Sequence, residues 1–442
     1  MSAKIRLRSL PEPVGRRRRP AGFAIMAGSA LLAALPIQPA GASTMAMQIS
    51  EFSGRPQWIS SEGERPAQHL IALLQSSDLD GLDPNHFEID KLKRAIAKTE
   101  NGGFAAADTA NALLDAALVS YVKALRTAPN SEWIINDREA VPAAPSAEKL
   151  LTEAARAPSL EMWLKAMPFM NPGYAELRRG LARAEALGDR QSADLIRVNL
   201  QRVRLLPAAG RYVMVNTAAQ QLYMFEDGKV VDEMKVVVGK AHQPTPMMAA
   251  TIKFTALNPY WQVPSDLAAE RVAPHVVKQG LSYLTDNGYV VLSDWGEHAR
   301  PVDPSLIDWQ AVADGKILIR LRQDPGPHNA MGRMKFMFPN PQGIYLHDTP
   351  NKELLNEDAR LFSGGCVRLE DAPRLAQWMY GRPLDVESAT TEQPVELPDP
   401  IPVYLIYQTA ASSGDQIVFY QDIYGKDRSL LAGSNGNQIA AR

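Results

Sequence analysis

Tyr212-Val213-Met214-Val215, Gln221-Leu222-Tyr223-Met224-Phe225 and, across the dipeptide Asp227-Gly228, the run Lys229–Val238 form the stretch on which the fold turns. Short apolar runs separated by Asn, Asp and Gly read as strands, and Asp-Gly supplies the two φ > 0 positions of a tight hairpin. Upstream of Pro207 the texture differs. From about Pro66 to Leu206 the apolar residues recur at helical spacing: Leu70, Leu73 and Leu74; Leu92 and Ile96; Leu114, Leu118, Tyr121, Val122 and Leu125; Ile196, Leu200 and Val203. Asp108 is expected to cap the helix carrying the third stripe, and Asp83 and Asn171 each stand before a proline suited to a first helical turn. Downstream, strands are expected at Lys253–Leu257, Tyr289–Leu292, Lys316–Arg322, Lys335–Phe338, Ile344–Leu346 and Val403–Tyr407, the last after a proline-rich linker over Gln393–Pro402. One helix interrupts them, capped by Asp371, with Pro373 in its first turn and Leu375, Trp378 and Met379 facing inward. The class is α+β multidomain: helical over 66–206, mainly β over 207–385 as a sandwich or barrel, then a linker and C-terminal strand segment over 386–442.

The chain has 442 residues, with 47 Lys and Arg against 49 Asp and Glu, which excludes a generally basic nucleic-acid binder. Apolar residues make up 45% and charged ones 22%, ordinary globular usage. The single cysteine, Cys366, excludes an internal disulfide framework and any site with two or more thiolates on a metal. The first twenty residues carry Lys4, Arg6, Arg8 and Arg16-Arg17-Arg18-Arg19; an uncharged run Ala21–Leu35 and the small tripeptide Ala40-Gly41-Ala42 follow. That order is expected of a secretory leader, residues 1–42, cleaved near Ala42 and followed by a flexible stretch over 43–65. At 1.5 Å per residue the apolar run spans only about 22 Å, short of a bilayer core, so no stable membrane span is expected. Removal of the leader leaves 40 basic against 48 acidic residues. The product is an acidic exported protein with one thiol and no internal partner for it, and that thiol needs either burial or a function to account for it.

The chemistry gathers in two segments. Ile344-Tyr345-Leu346-His347-Asp348-Thr349-Pro350 ends a strand on a histidine, and 19 residues after His347 comes Cys366 within Ser363-Gly364-Gly365-Cys366-Val367-Arg368. A thiol with an unperturbed pKa near 8.5 needs a base, and an imidazole can take its proton during attack and return it to a leaving amine. Two glycines before the thiol let backbone N–H groups converge as an oxyanion hole. Arg368, two residues beyond, would share the thiol's face in an extended chain and would either hold charge near the thiolate or bind a substrate carboxylate. Taken singly, a buried thiol, a satisfied histidine and a Gly-Gly turn each have ordinary structural readings. The other histidines, His69, His86, His242, His275, His298 and His328, show no metal-ligand spacing, Asp78-Leu79-Asp80-Gly81 misplaces its glycine for a calcium loop, and no nucleotide fingerprint occurs. Neither a metal nor another cofactor is expected.

His347 followed by Ser363-x-Gly365-Cys366-x-Arg368 resembles the signature of the L,D-transpeptidase (YkuD-type) catalytic domain. The longer resemblance is to its large YcbB-like subgroup, carried by Asn258-Pro259-Tyr260-Trp261-x-Val263-Pro264, Gly332-x-Met334-Lys335-Phe336-x-Phe338-Pro339-Asn340, Tyr345 to Pro350 and Pro400-Ile401-Pro402-Val403-Tyr404. Leu70 to Arg126, with Asp80-Gly81-Leu82-x-Pro84, more weakly resembles that subgroup's helical scaffold domain. The resemblance implies a mainly β catalytic domain with a capping insertion over 265–323. It also implies Cys366 as nucleophile and His347 as base then acid. Amides of Gly364, Gly365 and Cys366 would form the oxyanion site, Ser363 would support the loop, and Tyr345 and Arg368 would shape the pocket. Substrates would be peptidoglycan stem peptides: a donor tetrapeptide that loses D-alanine and an acceptor diamino-acid amine, joined 3→3 in the periplasm or cell envelope, with carbapenems acylating Cys366.

Two departures stand out. Gly364 replaces the motif's usual histidine, and Tyr174–Leu206 is too short for the peptidoglycan-binding module that large members usually carry. Sortases space His, Cys and Arg differently, and papain-like and NlpC-type peptidases place Cys before His. A same-fold hydrolase, a ligase joining an envelope protein to peptidoglycan, and a non-catalytic wall-binding protein remain as alternatives.

Overall fold

The computed structural model describes residues 54–59, 65–127, 132–296, 298–414 and 416–433. The leader expected over 1–42 lies outside them. No helix among the described residues is long and apolar enough to cross a membrane.

The helical part packs α1 (Arg65–Gln75), α2 (Ile89–Ala97), α3 (Thr99–Arg126), α4 (Ala147–Ala155), α5 (Leu160–Ala166), α6 (Tyr174–Ala186) and α7 (Arg190–Val203) around one apolar core. The stripe Leu114, Leu118, Tyr121, Val122 and Leu125 is buried on one face of α3, as its spacing requires. Asp108 does not cap this helix: it lies inside it, because the break falls at Gly103, whose φ of 61° and ψ of −158° only glycine adopts readily. The C-terminal carbonyls of α3 are taken by Arg204, which donates to Leu125 O and Ala124 O. Ser146, Ser159 and Asp189 cap α4, α5 and α7 through their side-chain oxygens.

The β part begins with β1 (Ile134–Ile135), β2 (Tyr212–Asn216), β3 (Gln221–Glu226), β4 (Lys229–Gly239) and β5 (Met248–Leu257). It continues, after an insertion, with β9 (Met334–Met337), β10 (Leu346–His347), β11 (Leu361–Ser363), β12 (Val367–Leu369) and β13 (Gln393–Ile406). Pairing runs β5-β13-β2-β3-β4-β12-β10-β9, and β9 pairs back to β5, so these strands close on themselves with β1 and β11 added outside the ring. Closure leaves this sheet without the long unpaired edge that an open one would expose. Period-2 alternation sorts its two faces. Val213, Val215, Val403 and Leu405 enter the ring's core, while Tyr212, Met214, Tyr404 and Ile406 join the helical core. One apolar cluster therefore runs from the helices into the outer wall of β2 and β13.

Three expectations shift. The proline-rich stretch 393–402 is strand, not linker, antiparallel to β5. β2 pairs with β13 only from Val403 onward, so before that point one side of the strand is an edge where proline's missing N–H is harmless, and Pro398 and Pro400 fall where the register shifts. Lys316–Ile319 is not strand, because Lys316 and Ile317 N–H return to Ala311 O and close the preceding helix. Ile344 is held in a turn by both polar atoms of the Asn340 side chain, so pairing starts at Leu346.

Between β5 and β9 the chain leaves the ring and builds a cap with β6 (Trp261–Val263), β7 (Tyr289–Leu292) and β8 (Arg320–Gln323) in the order β6-β8-β7. The cap has its own core, including Val263, Leu267, Val272, Val291, Trp309 and Leu321. Its stems are pinned by Asn258, whose side-chain amide donates to Val386 O and Ala389 O, and by Asn329, which donates to Pro259 O.

Candidate active site

His347 on β10 is paired with Lys335 on antiparallel β9 and with Arg368 on parallel β12. Cross-strand partners share a face, so the three side chains form one row: cation, imidazole, cation. Cys366 stands two residues before Arg368. All four line a single cavity of about 450 Å³, together with Tyr345, Ser363 and Gly364 from the ring and Tyr260, Trp261, Leu267 and Arg271 from the cap.

The loop that carries Cys366 is fixed by its own hydrogen bonds. Ser363 Oγ accepts the Gly365 N–H at 3.1 Å and donates to Cys366 O at 2.6 Å. Gly365 has φ +115°, a conformation open to glycine, and a Cβ there would approach Ile344 Cδ1 to 2.9 Å. Buried Thr245 braces the loop from outside, accepting Gly239 N–H and donating to Gly365 O at 2.7 Å. Gly239 admits no side chain, since a Cβ would meet Gln243 O at 2.2 Å. Of the three amides expected at an oxyanion site, that of Gly365 is spent on Ser363. No acceptor among the described residues takes the N–H of Gly364 or Cys366. A Cβ at Gly364 would stand in ordinary contact with Leu267 at 3.4 Å, so the histidine usual there would press toward the cap, well apart from the role of His347.

His347 is buried, 4% exposed, and its Nδ1 lies 2.6 Å from Asp348 O. A carbonyl only accepts, so Nδ1 carries the proton and Nε2 keeps its lone pair. Asp348 is itself held, its carboxylate taking Arg333 N–H and Lys352 Nζ, which explains the His-Asp pair of the sequence. Burial, then Arg368 and Lys335, lower the imidazole pKa to about 3, so the ring is neutral across the physiological range. Burial pushes the Cys366 thiol up, while the Tyr345 backbone, Lys335 and Arg368 pull it down. The thiol donates to Gly343 O at 3.5 Å. Lys335 Nζ sits 3.8 Å from the Tyr345 ring centroid, a cation–π contact in place of an ion pair. A neutral imidazole with a free Nε2 lone pair and a protonated thiol thus line one cavity with two cations, a set of groups chemically suited to attack on a carbonyl with proton transfer during the step.

Cys366, His347, Tyr345, Ser363, Gly364 and Arg368 thus face one cavity, and Gly365 is buried behind them. Sequence reasoning missed Lys335, Thr245, Gly239 and Arg271. Lys335 lay inside a quoted motif without a role. The other three are distant in sequence and carry no local signal. Among the described residues, no cluster of His, Cys, Asp and Glu is arranged to hold a metal ion.

The L,D-transpeptidase catalytic domain (YkuD) profile matches residues 210–402, and a Scaffold domain profile matches residues 51–181. A curated L,D-transpeptidase homologue of Haemophilus influenzae is 36% identical over 242 residues, 53% of this chain and 48% of its own length. The chain spans about half the length of that relative. An L,D-transpeptidase from Mycobacterium smegmatis aligns over 45% of this chain and 59% of its own at 16% identity and a TM-score of 0.21. L,D-transpeptidase 1 of Mycobacterium tuberculosis does so over 45% and 61% at 14% identity and a TM-score of 0.17. Superpositions that loose add no argument of their own. On the profile match and the 36% identical relative, residues 210–402 belong to the L,D-transpeptidase (YkuD) catalytic-domain family.

Proposed function

We propose that this protein is a peptidoglycan L,D-transpeptidase that forms 3→3 cross-links through a thioester on Cys366. The observation that carries the reading is the row Lys335–His347–Arg368 beside Cys366 on one cavity wall. Cys366 Sγ attacks the carbonyl of the L,D-peptide bond after the third residue of a donor tetrapeptide, and its proton passes to His347 Nε2. The amides of Gly364 and Cys366 hold the oxyanion. Collapse breaks the C–N bond, His347 returns the proton to the leaving amine, and D-alanine departs. A diamino-acid amine of a second stem then attacks the thioester, His347 takes its proton, and the thiol is restored. The cap covers the cavity and favours an amine over water. Tyr345 and Arg368 shape the donor pocket, and Ser363 fixes the loop. On the same reading the protein works in the cell envelope after export, and carbapenems acylate Cys366.

A hydrolase or a protein–peptidoglycan ligase would share every step up to the thioester, and only the acceptor separates them. Incubation with disaccharide-tetrapeptides followed by mass spectrometry tests the proposal. Dimers one D-alanine lighter than two donors are expected; tripeptide monomers alone would replace the reading with hydrolysis.

A further inference from the structure

Among the described residues, most buried and half-buried arginines close to the core donate to oxygens of their own chain. Arg126 donates to Phe169 O and Leu206 O, Arg178 to Asp80, Arg202 to Asp427, Arg204 to Leu125 O and Arg360 to Val236 O. Arg368 breaks the pattern. Its guanidinium lines the cavity and makes no hydrogen bond or ion pair among the described residues. Burial, then the positive charge of Arg271, push the Arg368 pKa down to about 10.

Arg271 comes from the cap. It sits in a π-helical turn, Ala268–Val272, a rare backbone form that frequently occurs at functional sites. Its one hydrogen bond goes to Phe362 O, next to Ser363, so the side chain is drawn across to the nucleophile loop. Leu267, just before that turn, borders Gly364. Asp266, the one carboxylate among the residues lining the cavity, is already engaged by Gln243 Nε2 and the Leu267 N–H. Two guanidiniums face the same cavity, one from each subdomain, and among the described residues neither forms an ion pair, the neighbouring Glu270 being paired with Lys240.

We propose that Arg271 and Arg368 together bind the terminal carboxylate of the donor's leaving residue, so that the cap itself reads the donor's end. This rests on the reading of the cavity as the donor site. A planar carboxylate is the natural partner of paired guanidinium forks. Cys366 and Arg368 lie two residues apart, about 6.6 Å along an extended chain, and share a face. In the donor, the terminal carboxylate lies three bonds beyond the scissile carbonyl carbon. With that carbon on Sγ, the carboxylate falls within reach of the guanidinium.

The test measures the rate of Cys366 acylation by intact mass, with three donors: the free tetrapeptide, its C-terminal amide, and the tetrapeptide amidated only at the diamino-acid carboxylate. The unaltered protein is expected to prefer the free acid over the C-terminal amide by roughly tenfold to a hundredfold, the range for charged hydrogen bonds. Arg271→Ala should lose that preference, its rate falling far more on the free acid than on the C-terminal amide. Three results would overturn the proposal: equal rates for acid and C-terminal amide, an equal loss on both donors in Arg271→Ala, or a preference that follows the diamino-acid carboxylate. Should no donor acylate Cys366, the transpeptidase reading fails separately, and the clamp is decided by binding alone. N-acetyl-D-alanine should then bind tighter than its amide, and only in the protein with Arg271; equal binding ends the proposal.

Discussion

Two regions of this molecule bury charge, and they do it in opposite ways. In the helical domain, fully buried Asp80 accepts from Tyr121 OH, Tyr174 OH and Arg178 Nε, and Arg178 also donates to Ser76. Each carboxylate oxygen has a protein donor. Burial raises the Asp80 pKa, and Arg178 with the two phenols pulls it back. At the cavity, Lys335 and Arg368 act on a buried imidazole, Arg271 lines the same wall, and among the described residues no carboxylate forms an ion pair with any of the three cations. The closed network satisfies itself and serves architecture. The open one leaves cations facing a cavity, and on the proposed function their partner is a substrate group or a charge that develops in the reaction.

The largest effect that would break this contrast is expected at His347, the proposed base. His347→Ala should lower the acylation rate by about 10²–10⁴-fold, the usual worth of a positioned base, with a small change in melting temperature. A large melting change with an intact rate per folded molecule would make His347 architectural. Asp80→Ala is the converse. Arg178 would be left buried without its partner, at a cost of about 3–5 kcal/mol in stability read from denaturant unfolding, while acylation per folded molecule stays unchanged. Ser363→Ala removes both bonds of the nucleophile loop and frees the Gly365 N–H; about a tenfold loss in acylation rate is expected, with unfolding altered by roughly 1–3 kcal/mol. Lys335→Met should act least. It deletes a cation that favours the thiolate, so the pH–rate profile should move to higher pH with only a few-fold loss near neutrality. In the unaltered protein that profile should show no inflection near 6.5, because the imidazole stays neutral down to about pH 3. The same depression has a sign for stability: it favours the folded state above the unfolded histidine's pKa near 6.5 and is lost as pH falls from there toward 3.

The two regions were not equally legible in the sequence. The stripe on α3 and the hairpin at Asp227-Gly228 follow from period and turn chemistry, which are local. The grouping of Cys366 with His347 on one cavity does not follow from such local rules; it was legible only through the resemblance to a known motif. The proline-rich run 393–402 misled because proline signals a linker locally, whereas its tolerance in β13 depends on which neighbour the strand lacks. Asp108 misled because a capping side chain says nothing of Gly103 five residues before it. Lys335, Arg271 and Thr245 reach the site through pairing and packing across long sequence separations, so no window of sequence carries them. The spent Gly365 N–H is visible only when hydrogen bonds are counted.

Every step proposed for this cavity requires Cys366 to carry the donor. Intact-mass measurement after mixing the protein with a disaccharide-tetrapeptide should show an adduct of donor minus D-alanine, absent in Cys366→Ala and discharged when an acceptor stem is added. Cross-linked dimers formed by Cys366→Ala, or D-alanine released with no adduct on the unaltered protein under rapid quench, would contradict it.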